Sequence, residues 1–315
     1  MAEVAIIGTG FIGRAWAISH ARAGSNVRLW DMDSAATGKA KDYIADLLPD
    51  LVSNDLLNGQ TPDAVLSRIR STDTLEAAVD GVAYVQENTF EQLDVKIGVF
   101  KLLDAATPRS AVIASSTSAL LPSAFTADLA GRDRCLVAHP INPPYLIPAA
   151  ELVPAPWTSP EAMAQAAAVL RGIGQVPIVM KQEIDGFVMN RLQGALLEEA
   201  FRLVAGGYAS VEDVDVGIRD GLALRWSFMG PFETIDLNAP AGVREYCERY
   251  ERIYSNIWEG IGYRIDWNGP VLDVIEADRR KAVAADQLQA RQAWRDRRLM
   301  ALIAHKRQAD HDIGS

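Results

Sequence analysis

Three glycines near the start of the chain restrict its fold more than any other feature. Gly8, Gly10 and Gly13 form a GxGxxG run directly after an apolar stretch at 4–7 and at the head of a helical pattern over 11–23, which Gly24 closes. A second apolar stretch at 27–30 follows and ends in Asp31. Strand, glycine turn, helix and strand in about 30 residues make a βαβ unit, which requires a parallel sheet. Each glycine then has a physical task. Gly8 permits the tight turn, Gly10 lets the backbone approach a pyrophosphate, and Gly13 lets the helix pack close to the sheet. The helix start at Phe11 and Ile12 offers unpaired N–H groups and a partial positive charge to phosphates. Asp31, at the end of the second strand, is positioned to accept hydrogen bonds from ribose hydroxyls. It would repel a 2′-phosphate, and Met32 and Asp33 supply no arginine to offset that. The expected cofactor is therefore NAD rather than NADP.

Short apolar stretches at 82–86, 111–115, 135–138 and 176–180 read as further strands, separated by helical patterns, notably 91–106 and 159–172. Residues 34–80 are too long for one crossover helix, and Pro49, Gly59 and Pro62 predict a helix followed by a shorter helical hairpin. Strand signals fade after Met180. Met189, Leu192, Leu196, Ala200 and Leu203 then share one helical stripe, and more helices are expected near 210–220, 240–260, 271–284 and 286–308. The expectation is an α/β fold: a Rossmann-type, doubly wound, mostly parallel sheet over 1–184, and an all-helical domain over 185–315, with the active site in the cleft between them.

Composition narrows the partners. Of 315 residues, 41 are acidic and 31 basic, a net charge of −10, which argues against nucleic acid and anionic membrane surfaces as partners. No stretch reaches the ~18 apolar residues of a membrane span, and the N-terminus lacks the basic segment of a signal peptide. Two cysteines, Cys135 and Cys247, lie far apart without metal-ligand spacing. No metal site, no disulfide framework and a cytoplasmic location are expected.

The polar residues of interest follow the fourth and fifth predicted strands, where ligands bind in such sheets. Ser118 stands in SSTSAL, just past the fourth. His139 stands in HPINPP, just past the fifth, with Asn142 beside it. Glu151 follows in AELVP, bracketed by prolines. Hydride transfer from an alcohol to NAD needs a base for the hydroxyl proton, and neutral histidine suits that task near neutral pH. A carboxylate on the far ring nitrogen fixes the tautomer and stabilises the imidazolium. From spacing alone, a lone histidine after a buried strand is as readily structural as catalytic. His20, His305 and His311 read as surface residues.

These segments together resemble the 3-hydroxyacyl-CoA dehydrogenase family, marked by a serine after the fourth strand, His then Asn-Pro after the fifth, a glutamate twelve residues past the histidine, and a GF(I/V)xNR segment opening the helical domain. Ser118, His139, Asn142, Glu151 and Asn190 in DGFVMNRL fit in order and spacing. The resemblance implies a His139–Glu151 catalytic pair, Ser118 and Asn190 placing substrate and nicotinamide, and a homodimer paired through the helical domain. Within the family, HPINPPYLIPAAELVP and LALRWSFMGPFETIDLNA are similar to the lambda-crystallin and L-gulonate 3-dehydrogenase group. That likeness implies a small free 3-hydroxy acid as substrate, L-gulonate first. The residues agree. Between 42 and 67 there is no Lys or Arg, but there are Asp42, Asp46, Asp50, Asp55 and Asp63, a surface that would repel the phosphates of a CoA ester. Arg225 is a candidate clamp for the substrate carboxylate, with a structural ion pair as its alternative. A 3-hydroxyacyl-CoA, 3-hydroxybutyrate or carnitine are rival substrates. A crystallin-like structural protein and an NAD sensor without turnover are rival functions that have no use for a His–Glu pair.

Overall fold

The computed structural model describes residues 3–53, 56–57, 59–205, 208–227 and 229–257, with scattered positions from 276 to 312. The helices expected at 271–284 and 286–308 fall largely outside the described residues. The chain divides into two compact units, Met1–Leu196 and Leu197–Ser315.

The first unit is built on eight strands: β1 (Glu3–Ile7), β2 (Asn26–Trp30), β3 (Ile69–Ser71), β4 (Tyr84–Glu87), β5 (Val112–Ser115), β6 (Cys135–Pro140), β7 (Ala149–Pro154) and β8 (Val176–Val179). Their order across the sheet is β3-β2-β1-β4-β5-β6-β7-β8. All neighbours are parallel except β6 and β7. Strand order reverses between β1 and β4, which opens a crevice at the carboxyl ends of the strands.

Alternate strand residues feed two core layers. Val4, Ile6, Val27 and Leu29 face one layer, with Trp16 and Ile18 of α1 (Phe11–Arg22), Ile44 and Leu48 of α2 (Ser34–Ser53) and Leu170 of α7 (Pro160–Gly172). Ala5, Ile7, Val85 and Val137 face the other, with Val79 of α4 (Leu75–Val79), Phe100 of α5 (Leu93–Ala106) and Phe125 of α6 (Pro122–Thr126). The continuous apolar character of these strands is what burial on both faces demands.

Several expectations are corrected. Helix α2 runs on through Pro49, because Ile44, Leu48 and Leu51 on either side of it are buried in the core. After the short helix α3 (Pro62–Leu66) comes β3, a three-residue edge strand too short to leave a periodic signal. The proline-bracketed segment that holds Glu151, not expected as a strand, is β7, Ala149–Pro154. His20, read as a surface residue, is fully buried between Trp16 and Tyr84, ring centroids 6.1 and 6.0 Å away. Helix α1 is covered on almost every side, so polar type alone misplaces it.

The boundary between the units falls within α8 (Met189–Ala205). The described part of the second unit is helical. Helix α9 (Val211–Val216) starts in a capping box between Ser210 and Asp213 and continues through a π-helical turn, Gly217–Leu222, into α10 (Ala223–Trp226). Helices α11 (Pro231–Asp236) and α12 (Val243–Ile257) follow. Among the described residues no helix is long and apolar enough to cross a membrane.

Candidate active site

The glycine turn is built as close packing requires. Gly8 has φ +82°, and a Cβ there would stand 2.8 Å from the Asn88 backbone. A Cβ on Gly13 would meet the Gly8 carbonyl oxygen at 2.0 Å, so the helix can lie this near the strand only without a side chain. Gly10 differs: nothing stands within 4 Å of its Cβ position. The open space in front of Gly10 lies at the N-terminus of α1, whose first turn holds no acidic residue. Asp31 closes the arrangement at the end of β2, accepting from Thr9 N at 2.7 Å, Thr9 Oγ1 at 3.1 Å and Asp33 N at 3.1 Å. An open, amide-lined helix start with a carboxylate beside it fits an adenine dinucleotide. Phe11 is exposed at the helix start, and Ile12 reaches the adjoining cavity.

That cavity, of about 450 Å³, lies where β4, β5 and β6 end. Asn88, Thr89, Ser116, Ser118, His139, Asn142 and Asn190 line it. His139 and Glu151 are register partners on the antiparallel strands β6 and β7; directly opposed residues share a face. The carboxylate Oε2 stands 2.6 Å from His139 Nδ1. Its Oε1 accepts from Val188 N at 2.6 Å and Met189 N at 2.8 Å, the opening amides of α8. Glu151 is wholly buried, and a helix N-terminus offers such a carboxylate both donors and a favourable dipole. The chain reaches this geometry by a kink: Gly186 has φ +76° and Phe187 φ +49°. The buried Phe187 ring packs 5.7 Å from the imidazole. With Nδ1 engaged, Nε2 is the nitrogen that His139 can offer to the cavity, and a histidine so held can accept a proton.

Residues 3–184 match the family 3-hydroxyacyl-CoA dehydrogenase, NAD binding domain, and residues 186–261 match 3-hydroxyacyl-CoA dehydrogenase, C-terminal domain. The chain belongs to the 3-hydroxyacyl-CoA dehydrogenase family. It is an NAD-dependent dehydrogenase of that family, with NAD as its cofactor. Lambda-crystallin of Oryctolagus cuniculus is 40% identical over 309 residues, 97% of either chain. L-carnitine dehydrogenase of Streptomyces griseus is 41% identical over 240 residues, 76% of this chain and 70% of the other. The solved 3-hydroxyacyl-CoA dehydrogenase of Archaeoglobus fulgidus superposes with a TM-score of 0.73 at 25% identity, over 97% of this chain and 99% of that one.

In this dehydrogenase Glu91 and Lys96 are among the cavity residues that sequence reasoning missed. Glu91 Oε1 gathers Thr117 Oγ1 at 2.6 Å, Ser118 N at 2.8 Å, Ser118 Oγ at 3.2 Å and Ala119 N at 3.1 Å, fixing the serine loop. Lys96, also at the cavity, is buried and gives Nζ to both oxygens of the buried Glu87, at 2.8 and 2.9 Å. Glu87 at the end of a strand, with Glu91 after it and Lys96 early in the next helix, was the available signal. Asn190 Nδ2 donates to the Ser118 carbonyl at 2.8 Å, joining α8 to the same loop. A buried chain stiffens the opposite wall: Tyr84 OH donates to Gln86 Oε1, Gln86 Nε2 and Trp16 Nε1 donate to Ser116 Oγ, and Ser116 donates to Asn88.

Arg225 is not among the residues lining this cavity. It lies on α10 in the second unit, where its guanidinium donates to Asn238 Oδ1 at 3.2 Å, and no carboxylate pairs with it among the described residues. Cys135 lies at the start of β6 with its thiol buried, and burial pushes its pKa up to about 12. It stays protonated and slow toward thiol reagents near neutral pH. No cluster of three or more His, Cys, Asp or Glu side chains is arranged to hold a metal among the described residues.

Proposed function

We propose that this dehydrogenase oxidises the 3-hydroxyl of a small free hydroxy acid, with L-gulonate to 3-dehydro-L-gulonate as the leading reaction. The observation that carries the reading is the His139–Glu151 pair at 2.6 Å, with His139 on the cavity wall. NAD⁺, when bound, supplies the hydride acceptor. The turn at Gly8, Gly10 and Gly13, with the α1 start at Phe11 and Ile12, would hold its pyrophosphate, and Asp31 its ribose. His139 Nε2 takes the proton of the substrate hydroxyl. Glu151 keeps Nδ1 protonated and balances the imidazolium, while the α8 amides keep the carboxylate from turning away. Ser118 and Asn190 orient the reacting oxygen and the nicotinamide. Asn142 contacts the substrate, and Arg225 binds its carboxylate.

The free-acid reading draws support from Asp42, Asp46 and Asp63, which are exposed with no basic residue between 42 and 67. The side chains of Asp50 and Asp55 lie outside the described residues. L-carnitine is the second reading, favoured by the carnitine dehydrogenases among the relatives. Against it, no Phe, Tyr or Trp among the described residues lines the cavity to receive a trimethylammonium group. The functional division is 1–184 for NAD and 185–315 for substrate and dimerisation. A homodimer is supported by the exposed apolar stripe Leu192, Leu196 and Leu197 on α8, and the cytoplasm is the proposed location. NADH formation with L-gulonate, L-carnitine, 3-hydroxybutyrate and 3-hydroxybutyryl-CoA side by side tests the reading. Turnover greatest with L-gulonate upholds it; a preference for the CoA ester overturns the free-acid assignment.

A further inference from the structure

The cavity wall formed by α8 carries a second amide that the chemistry above does not use. Gln193 lines the cavity three residues after Asn190. The two side chains therefore project from one face of the helix, about 4.5 Å apart along its axis. Their situations differ. Asn190 is tied to the Ser118 carbonyl at 2.8 Å. Gln193 is exposed, and its amide meets no hydrogen-bond partner among the described residues. Among the described residues that line the cavity the one lysine or arginine is Lys96, which is spent on both oxygens of Glu87.

A carboxamide has two donors and an acceptor, so it complements a hydroxyl, which both donates and accepts. Water satisfies Gln193 while the cavity is empty. Once a substrate chain covers it, the amide must find a partner in that chain or lose its hydration without return. A hydroxylated chain replaces the water bond for bond, and an apolar acyl chain cannot. We propose that Gln193 is a specificity-determining residue that binds a hydroxyl beyond the reacting carbon and selects polyhydroxylated short acids over apolar acids of the same length. The assignment rests on the hydroxy-acid reading of the cavity and deepens it.

The test compares wild type with Gln193→Met, which keeps the length and helix preference of the side chain and removes the amide. kcat/KM is measured with L-gulonate and with 3-hydroxyhexanoate at saturating NAD⁺, and thermal unfolding of both proteins checks that the exposed substitution leaves the fold intact. The preference for L-gulonate falls by about tenfold or more in the variant, with the loss carried mainly by KM. Equal losses on both acids, or an unchanged preference, overturn the role of Gln193 and leave the dehydrogenase reading standing. A wild type that reduces NAD⁺ with neither acid overturns the hydroxy-acid reading and the Gln193 assignment together.

Discussion

Two glutamates in the same sheet are fully buried, and they are neutralised in opposite ways. Glu87, at the end of β4, receives Lys96 on both oxygens, Ser115 Oγ at 2.6 Å, and Thr89 through its amide and hydroxyl, each at 2.5 Å. Its counter-ion is an ammonium bonded to both of its oxygens. Glu151, on β7, has a histidine on one oxygen and two helix amides on the other. Its counter-charge exists only while His139 holds a second proton. The first arrangement serves structure, whereas the second holds the residue proposed to accept the substrate proton. A buried carboxylate is therefore read by the chemistry of its partner, since both carboxylates are fully buried.

Substitutions can separate the two roles. The largest effect is expected from His139→Gln. Turnover should fall about 10²- to 10⁴-fold, with NADH affinity, followed by fluorescence titration, close to wild type; undiminished turnover would remove His139 from the chemistry. Glu87→Gln should act on stability instead. It leaves the buried Lys96 ammonium with Glu91, 4.0 Å away, as its remaining carboxylate, at a cost of about 3–5 kcal/mol in denaturant unfolding. The double change Glu87→Leu with Lys96→Met should regain most of that loss, and equal destabilisation by single and double variants would show that the pair is not what matters. His20 extends the comparison to a buried imidazole with neither ring nitrogen bonded. Burial lowers its pKa from 6.5 to about 4. Between those values the unfolded chain binds a proton that the folded chain refuses, so stability drops as pH falls through this window. In His20→Leu the acid-induced loss should shrink by about 3 kcal/mol. Parallel stability curves for the two proteins from neutral pH to pH ~4 would exclude His20 as a source of acid lability.

The glycine turn was readable because each residue there answers a local steric demand within one βαβ unit. Six of the eight strands were readable from apolar runs. Strand β3 is too short to carry a pattern, and β7 carries prolines at or beside both ends that mimic a loop. That second loss mattered, because it hid why Glu151 belongs with His139: the two are cross-strand neighbours on an antiparallel pair, a relation that spacing along the chain cannot express. Glu87, Glu91 and Lys96 were passed over for a related reason. Their partners come from β4, α5 and the loop after β5, and only the folded sheet brings these together. His20 was misjudged because a helix sandwiched in a core has no exposed face on which a polar residue must sit.

The amides that open α8 are bonded to Glu151, so the helix hangs from the very carboxylate that supports the proposed base. Asn190 stands one residue beyond that anchor and Gln193 a turn further. Substitutions past the first turn of α8 could therefore redesign what the cavity selects without retuning the proposed proton-transfer pair. An engineer, or a lineage under selection, is offered a fixed hinge point for the reaction and a variable arm for the choice of molecule.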